Sequence, residues 1–354
     1  MRVTFVLPVE VDKPVGGFKV VYEYANRLAQ RGHAITVVHR NNDSFTTSRK
    51  EKLREEVVFL RKQWDKRPIA QWFPVRPEVS LKVVREVTSR TLPDADALIA
   101  TAWQTASWVN NAGARKGKKY YLIQHDETCM GPVDEVNSTW RLPLHKIVIA
   151  EWLRDKATGL GETATHIPNG MDFGPFSIQR PLDGRFARVG MLFHSDFEWK
   201  GSADGLEAIL LAKREVPELA ASLFGTGPRP ATIPDWVEYQ CLPTPDELCR
   251  IYNRCSVFLQ PSWTEGWGLT ATEAMACGCA LVTTDNGGSR DYAQDGVTAL
   301  VSPPHQSAFL SKQIVRLLQN DAMRIAIAQA GAESIRRYTW DRAVNSLEDL
   351  VKNA

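Results

Sequence analysis

Apolar positions along this chain follow two rhythms. Residues 2–9 form an almost unbroken apolar run rich in Val and Phe. A loop holding Pro14, Gly16 and Gly17 follows, and then Val20, Val21, Tyr24, Ala25 and Leu28 recur at helical spacing as far as Gln30. Gly32 stands where a helix-ending glycine belongs, and 34–39 is a second β-branched run. Strand, helix and strand in that order predict a parallel pair with a helical crossover. Further short buried strands are expected at 96–100, 119–124, 147–150 and 164–167, with a helix over 151–160.

From Arg188 the alternation starts afresh. Strands are predicted at 189–193, 221–224, 237–240, 257–259 and 280–283, and helices at 203–214, 245–254 and 269–277. Pro168, Gly170, Gly174, Pro175, Pro181 and Gly184 punctuate the stretch between the two series, which marks a hinge. The expected fold class is α/β, with two Rossmann-like doubly wound domains facing each other across a cleft. Residues 1–172 would form the first domain and 173–339 the second. An amphipathic helix with Ala343, Leu347, Leu350 and Val351 in 340–354 would pack back on the first.

Composition narrows the class. A chain of 354 residues with 44% apolar and 24% charged residues has room for two buried cores, which excludes disorder, collagen and a disulfide miniprotein. None of the six cysteines forms a C-x2-C pair, so neither a zinc knuckle nor a disulfide framework is expected. The net charge of +2 is not that of a nucleic-acid-binding chain. The charge is unevenly spread, however. Residues 1–170 hold 26 basic and 19 acidic side chains, whereas 171–354 hold 17 and 22. The densest basic stretch, 49–90, interleaves Trp64, Trp72 and Phe73 with Lys62, Lys66, Arg67 and Arg76. That pattern suits an ordinary solvated surface, an anionic acceptor or an anionic membrane surface. Residues 97–114 lack charges but carry too many polar groups to span a bilayer, and no targeting segment is visible. The expected location is the cytoplasm, with peripheral contact at the inner face of the membrane through 49–90.

The chemistry concentrates in PSWTEGWGLTATEAMACG (261–278). Glu265 opens a loop with Gly266 and Gly268, a helix follows, and Glu273 stands eight positions after Glu265. A glycine-rich loop lets backbone N–H groups approach a ligand, and the positive end of the following helix favours an anion there. A diphosphate fits at Gly268 to Thr270. Two glutamates so spaced are also common on solvated helices. The Asp94-Ala95-Asp96 string reads as a loop entering a strand, so no metal site is expected. No G-x-G-x-x-G fingerprint follows Pro14, and no Walker lysine motif occurs.

The stretch resembles the C-terminal signature of glycosyltransferase family 4, the retaining nucleotide-sugar enzymes of GT-B fold. Other segments match that family in order: PVGGFK (14–19), IQHD (123–126), HIPNGMD (166–172), WKG (199–201), GTGP (225–228) and TTDNGGSRDY (283–292). The resemblance covers 165–305 closely and 40–120 only diffusely. It implies that Glu273 binds the ribose hydroxyls of a nucleotide and that Glu265 contacts the donor sugar. Backbone amides of Gly266, Trp267, Gly268, Leu269 and Thr270 would hold sugar hydroxyls and phosphate. Lys200 would neutralise the leaving diphosphate, and His125 would face the donor sugar. Gly16 and Gly17 would shape the ligand cleft, while Gly225 and the stretch from Tyr239 to Leu242 would flank the base.

The function implied is metal-independent, retaining hexosyl transfer in polysaccharide biosynthesis, without a cofactor. The co-substrate would be a nucleotide-diphosphate sugar and the acceptor a glycan or lipid-linked glycan, with no nucleic acid involved. The departing phosphate would take the acceptor's proton on the donor's own face. The family usually carries an arginine just after the first C-terminal strand, where this chain has Gly190-Met191-Leu192, and His194 is one candidate to compensate. A nucleotide-sugar epimerase and a non-catalytic nucleotide-sugar-binding subunit are the alternative readings of the same fold.

Overall fold

The computed structural model describes residues 1–41 and 69–353. Trp64, Lys62, Lys66 and Arg67 of the basic stretch lie outside the described residues. The chain divides into two units. One comprises Met1–Ile149, Leu153–Ile167 and Ala343–Ala354, and the other Ala150–Trp152 and Pro168–Arg342. Each is a parallel sheet flanked by helices, the arrangement that βαβ crossovers impose.

In the first unit the strands are β1 (Arg2–Leu7), β2 (Ala34–Arg40), β3 (Ser80–Val84), β4 (Ala97–Ala100), β5 (Lys118–Ile123), β6 (His145–Val148) and β7 (Ala164–His166). Their order in the sheet is β3-β2-β1-β4-β5-β6-β7. The order reverses between β1 and β4, so the strands wind outward in both directions from that point. Helix α1 (Gly16–Gln30) connects β1 to β2 and ends before Gly32, whose φ of 84° is the left-handed turn expected there. Three features went unpredicted, an edge strand and two short helices. Edge strand β3 has no fully buried position, so its apolar rhythm is weak. Helix α2 (Trp103–Asn110) is short and mixed in character. Helix α3 (Val133–Trp140) and helix α4 (Glu151–Gly159) complete this half of the chain.

In the second unit β8 (Arg188–Leu192), β9 (Ala220–Gly225), β10 (Val237–Cys241), β11 (Val257–Gln260), β12 (Ala280–Thr284) and β13 (Ala299–Ser302) form a sheet of order β10-β9-β8-β11-β12-β13. Its helices are α5 (Ser202–Glu215), α6 (Pro245–Arg254), α7 (Leu269–Ala276), α8 (Ser307–Leu318) and α9 (Asp321–Ser334). One core runs from Val189 and Met191 of β8, and Phe193 just after it, through Leu206 and Ile209 of α5 to Leu310 and Ile314 of α8. The last helix, α10 (Trp340–Asn353), begins with residues of this unit and continues in the other. There Glu348 accepts hydrogen bonds from Arg31 (2.7 Å) and His33 (3.0 Å) at the turn between α1 and β2. Among the described residues no helix is long and apolar enough to cross a membrane.

Trp72 and Phe73 of the basic stretch pack around Tyr22 of α1, at ring separations of 5.7 and 5.5 Å. The Tyr22 hydroxyl meets Nε2 of fully buried His39 at 2.8 Å, and His39 Nδ1 faces the Lys82 carbonyl at 3.3 Å. The carbonyl can only accept, so Nδ1 carries the proton and Nε2 accepts from tyrosine. Burial, opposed in part by the bond to Lys82, pushes His39 down to about 4. The unfolded chain binds the histidine proton near pH 6.5 and the folded chain only near 4, so acid favours unfolding across that window. His39→Gln should therefore lose less stability than the wild type between pH 7 and pH 4, by about 3 kcal/mol, in chemical denaturation. Parallel losses in the two proteins would contradict this.

Candidate functional site

In the second unit the strand order reverses between β8 and β11. Open α/β sheets bind ligands at the carboxyl ends of the strands at such a reversal. The segments leaving these two strands carry Lys200 and Glu265, and backbone contact holds them together. Gly201 has φ 62°, and a Cβ there would lie 2.1 Å from the Pro261 carbonyl oxygen. Only glycine lets the two chains approach so closely in that conformation. The Trp263 N–H donates to the Trp199 carbonyl (2.7 Å), and Trp263 Nε1 donates to Asp204 (2.7 Å).

Lys200 Nζ consequently sits 2.8 and 2.9 Å from the two carboxylate oxygens of Glu265. The Ser262 hydroxyl donates to the same carboxylate at 2.8 Å. The glutamate side chain is 10% exposed and the lysine 25%, so the pair is largely withdrawn from water but open on the lysine side. The backbone of Glu265 is tied on both sides, its N–H to Asn286 (2.9 Å) and its carbonyl to the N–H of Gly288 (3.1 Å). The lysine charge is thus held at a fixed point against the carboxylate.

Helix α7 begins beside this pair. Gly268 precedes it with φ 97°, and a Cβ there would lie 2.5 Å from Gln260 Nε2 and 2.6 Å from the Tyr292 hydroxyl. The helix has no side-chain N-cap and no acidic residue in its first turn. Its leading N–H groups, at Leu269 and Thr270, are left to an outside acceptor. The Trp267 side chain does not face that point. It is buried against Tyr292 and Tyr338, at 5.5 and 4.9 Å, and can contribute only its backbone. Gly266 is held through its carbonyl by Trp152 Nε1 at 3.3 Å. Glu273, one turn into α7, is buried and accepts from the Tyr252 hydroxyl at 3.2 Å. Burial and the neighbouring glutamate push that phenol well above its ordinary range, which keeps it a donor. Sequence reading missed Ser262 and Tyr252. Serine two residues into a loop and tyrosine in an amphipathic helix give no signal of their own.

Gly225, Tyr239 and Leu242 also come together. The Leu242 N–H donates to the Gly225 carbonyl (2.7 Å), and the Tyr239 hydroxyl donates to that of Gly227 (2.8 Å). Leu242 is exposed and has φ 49°.

Met191 stands differently from its expected place. Its side chain is fully buried in the core, against Gly205 of α5 and Pro261. The ladder runs past it, since the Phe193 N–H still bonds the Phe224 carbonyl at 2.8 Å. The position that could present a cation after β8 is therefore later than 191.

In the first unit Gly16 and Gly17 belong to the first turn of α1 rather than to a loop, because the extended Val15 already serves as N-cap. The Gly17 carbonyl accepts from Gln124 Nε2 (3.1 Å), which brings this turn to the end of β5. His125 follows, and its Nδ1 accepts from the Glu127 N–H at 3.1 Å. Glu127, which sequence reading passed over, takes the Trp103 N–H at 2.9 Å and the Tyr121 hydroxyl at 3.2 Å. Burial raises its carboxyl to about 7.

The close approach at Gly201 can be tested directly. Gly201→Ala adds a backbone clash to a left-handed residue and should cost at least about 2 kcal/mol in chemical denaturation. A change within about 0.5 kcal/mol, the scale of an ordinary surface substitution, would contradict the reading.

Residues 197–334 match the family model described as Glycosyl transferases group 1. Two curated relatives are D-inositol 3-phosphate glycosyltransferases. The one from Streptomyces bingchenggensis is 29% identical over 122 residues, 34% of this chain and 27% of that protein. The one from Salinispora arenicola is 31% identical over 137 residues, 39% and 29% respectively. The matched stretch thus spans less than a third of these relatives. Solved structures align over the whole chain at low identity. Anabaena HepE in complex with UDP and glucose has a TM-score of 0.74 at 15% identity, with 100% of both chains covered. Sucrose-phosphate synthase from Thermosynechococcus elongatus gives 0.72 at 15%, covering 99% of this chain and 98% of that one. S. aureus TarM, solved as a G117R mutant with UDP among its ligands, gives 0.75 at 11%, covering 99% of both chains. Over residues 197–334 the chain is thus similar to the group 1 glycosyltransferases, and its two parallel-sheet units have the fold of the GT-B enzymes.

Proposed function

We propose that the protein is a retaining glycosyltransferase. It would move a sugar from a nucleotide-diphosphate sugar to a hydroxyl of a glycan or lipid-linked glycan. The observation that carries this reading is the Lys200–Glu265 pair beside the uncapped start of α7, with Glu273 on the same helix. Glu273 has the acceptor oxygens for two ribose hydroxyls. The amides at Leu269 and Thr270 suit phosphate or sugar hydroxyls, and Lys200 suits the leaving diphosphate.

Cleaving the sugar–phosphate bond develops positive charge on the sugar and negative charge on the diphosphate. Fixed dipoles and a positioned ammonium lower that barrier without reorganising. The anomeric C–O bond to phosphate breaks and a bond to the acceptor oxygen forms on the same face. The acceptor's proton passes to the departing phosphate oxygen, so configuration is retained without a protein nucleophile. In the free protein Lys200 neutralises Glu265. A diphosphate draws the ammonium away and leaves the glutamate to accept hydrogen bonds from the sugar. Glu265→Gln should thus bind the nucleoside diphosphate more tightly than the wild type in calorimetry, yet transfer sugar more slowly. Weaker diphosphate binding by that variant would overturn the competition. HepE is solved with UDP and with UDP-glucose, which places uridine nucleotides first among the donors to test. The basic excess of residues 1–170 supports an anionic or membrane-held acceptor.

The direct test is a thermal-shift screen with UDP, GDP, ADP, TDP and CMP sugars. One donor class should raise Tm, and Glu273→Ala should abolish the shift. NMR of the product should then give the donor's own anomeric configuration. No shift with any donor, or an inverted product, would overturn the proposal.

A further inference from the structure

We infer that Gln260 is a further binding residue of the donor site, its side-chain NH2 donating to a phosphate oxygen of the donor at the start of α7. The inference deepens the donor-site reading and rests on it. Gln260 is the last residue of β11, a strand buried at all four positions, and only 4% of it is exposed. Val257, Phe258 and Leu259 before it are apolar. A buried amide in such company costs free energy unless both of its ends find partners.

One end has its partner. The buried Tyr292 hydroxyl lies 3.3 Å from Gln260 Oε1 and donates also to the Trp267 carbonyl at 2.8 Å. The amide is thereby fixed and tied to the glycine-rich loop. Its other end, Nε2, makes no hydrogen bond to another described residue. Nε2 lies against Gly268, where a Cβ would stand 2.5 Å from it, so the missing side chain leaves it uncovered. Gln260 lines a small cavity there with Lys200, Ser262, Glu265 and Thr270.

The amide nitrogen can only donate. The groups around it are donors too: the Lys200 ammonium and the leading N–H groups of α7, which no side chain caps. The carboxylate among them, Glu265, is already held by Lys200 and Ser262. Such a set suits an anionic oxygen, and an amide offers its hydrogen at every pH.

The test is calorimetric titration of UDP, GDP, ADP and TDP at pH 6 and pH 8. The proteins are wild type, Gln260→Leu and Gln260→Glu. Leucine suits the apolar strand, and Tyr292 keeps the Trp267 carbonyl, so the free leucine variant should be as stable as wild type in chemical denaturation. It should nevertheless lose about tenfold in affinity for the diphosphate that wild type binds, the scale of one hydrogen bond to a charged group. Glutamate keeps the shape of the amide. Ionised, it meets the phosphate with like charge, and protonated, it offers an O–H in place of the N–H. Lys200, Glu265 and Tyr292 are the titratable groups around it, and burial together with Glu265 opposes its ionisation. The glutamate variant should therefore bind more weakly than the leucine variant at pH 8 and regain part of that loss at pH 6. Unchanged binding in the leucine variant, or a glutamate variant that matches wild type at pH 8, would overturn the inference. A leucine variant that loses affinity only together with stability would overturn it too, by making Gln260 part of the frame of the loop. Wild-type protein that binds none of the diphosphates would instead refute the donor-site reading beneath it.

Discussion

The second unit depends on a backbone contact. The turn after β8 lies against the start of the segment after β11, so closely that a single methyl at Gly201 would meet the Pro261 carbonyl. This contact sets the ammonium of Lys200 on the carboxylate of Glu265, and the segment that carries Glu265 leads straight into α7. Three features thereby share one end of one sheet: a held cation, the uncapped amides of Leu269 and Thr270, and the Glu265 carboxylate that Lys200 and Ser262 hold. None requires an unusual side chain. What is unusual is the absence of side chain at two glycines.

The ion pair has two faces. It is too exposed on the lysine side to be a buried structural bridge, and too well tied on the glutamate side to be a casual surface pair. Ion pairs of that kind gain little stability. Their use lies in holding a charge at a known place until a stronger partner arrives. On the proposed reading an anion of higher charge would meet a preorganised ammonium, and the freed carboxylate would accept from hydroxyls. The aromatic ladder from His194 to Trp199 gives the same segment a rigid outer wall.

Much of this was legible in the sequence. The alternation of β-branched runs with helical spacing gave both sheets, and the boundaries of α6 fall at Pro245 and Arg254 as the pattern has them. The Pro at the first position of α6 and its Thr244–Glu247 capping pair make that helix easy to read. Edge strand β3, strand β13 and helices α2, α3, α8 and α9 were not foreseen, since weak or short patterns carry little signal. The site was read only in part. Glu265, Glu273 and Lys200 stand in motifs, whereas Ser262 and Tyr252 matter only through folding, which brings them to those carboxylates. The displaced cation position shows why. The family resemblance expects an arginine where Met191 stands, but folding buries that side chain in the core.

The measurement that bears most directly on the central claim is a crystal structure of the protein with a bound nucleoside diphosphate. The account predicts the diphosphate at the amides of Leu269 and Thr270, with Lys200 Nζ turned from Glu265 to a phosphate oxygen and Glu273 on the ribose. A nucleotide bound elsewhere, or a lysine still held by both oxygens of Glu265 with the diphosphate in place, would contradict it.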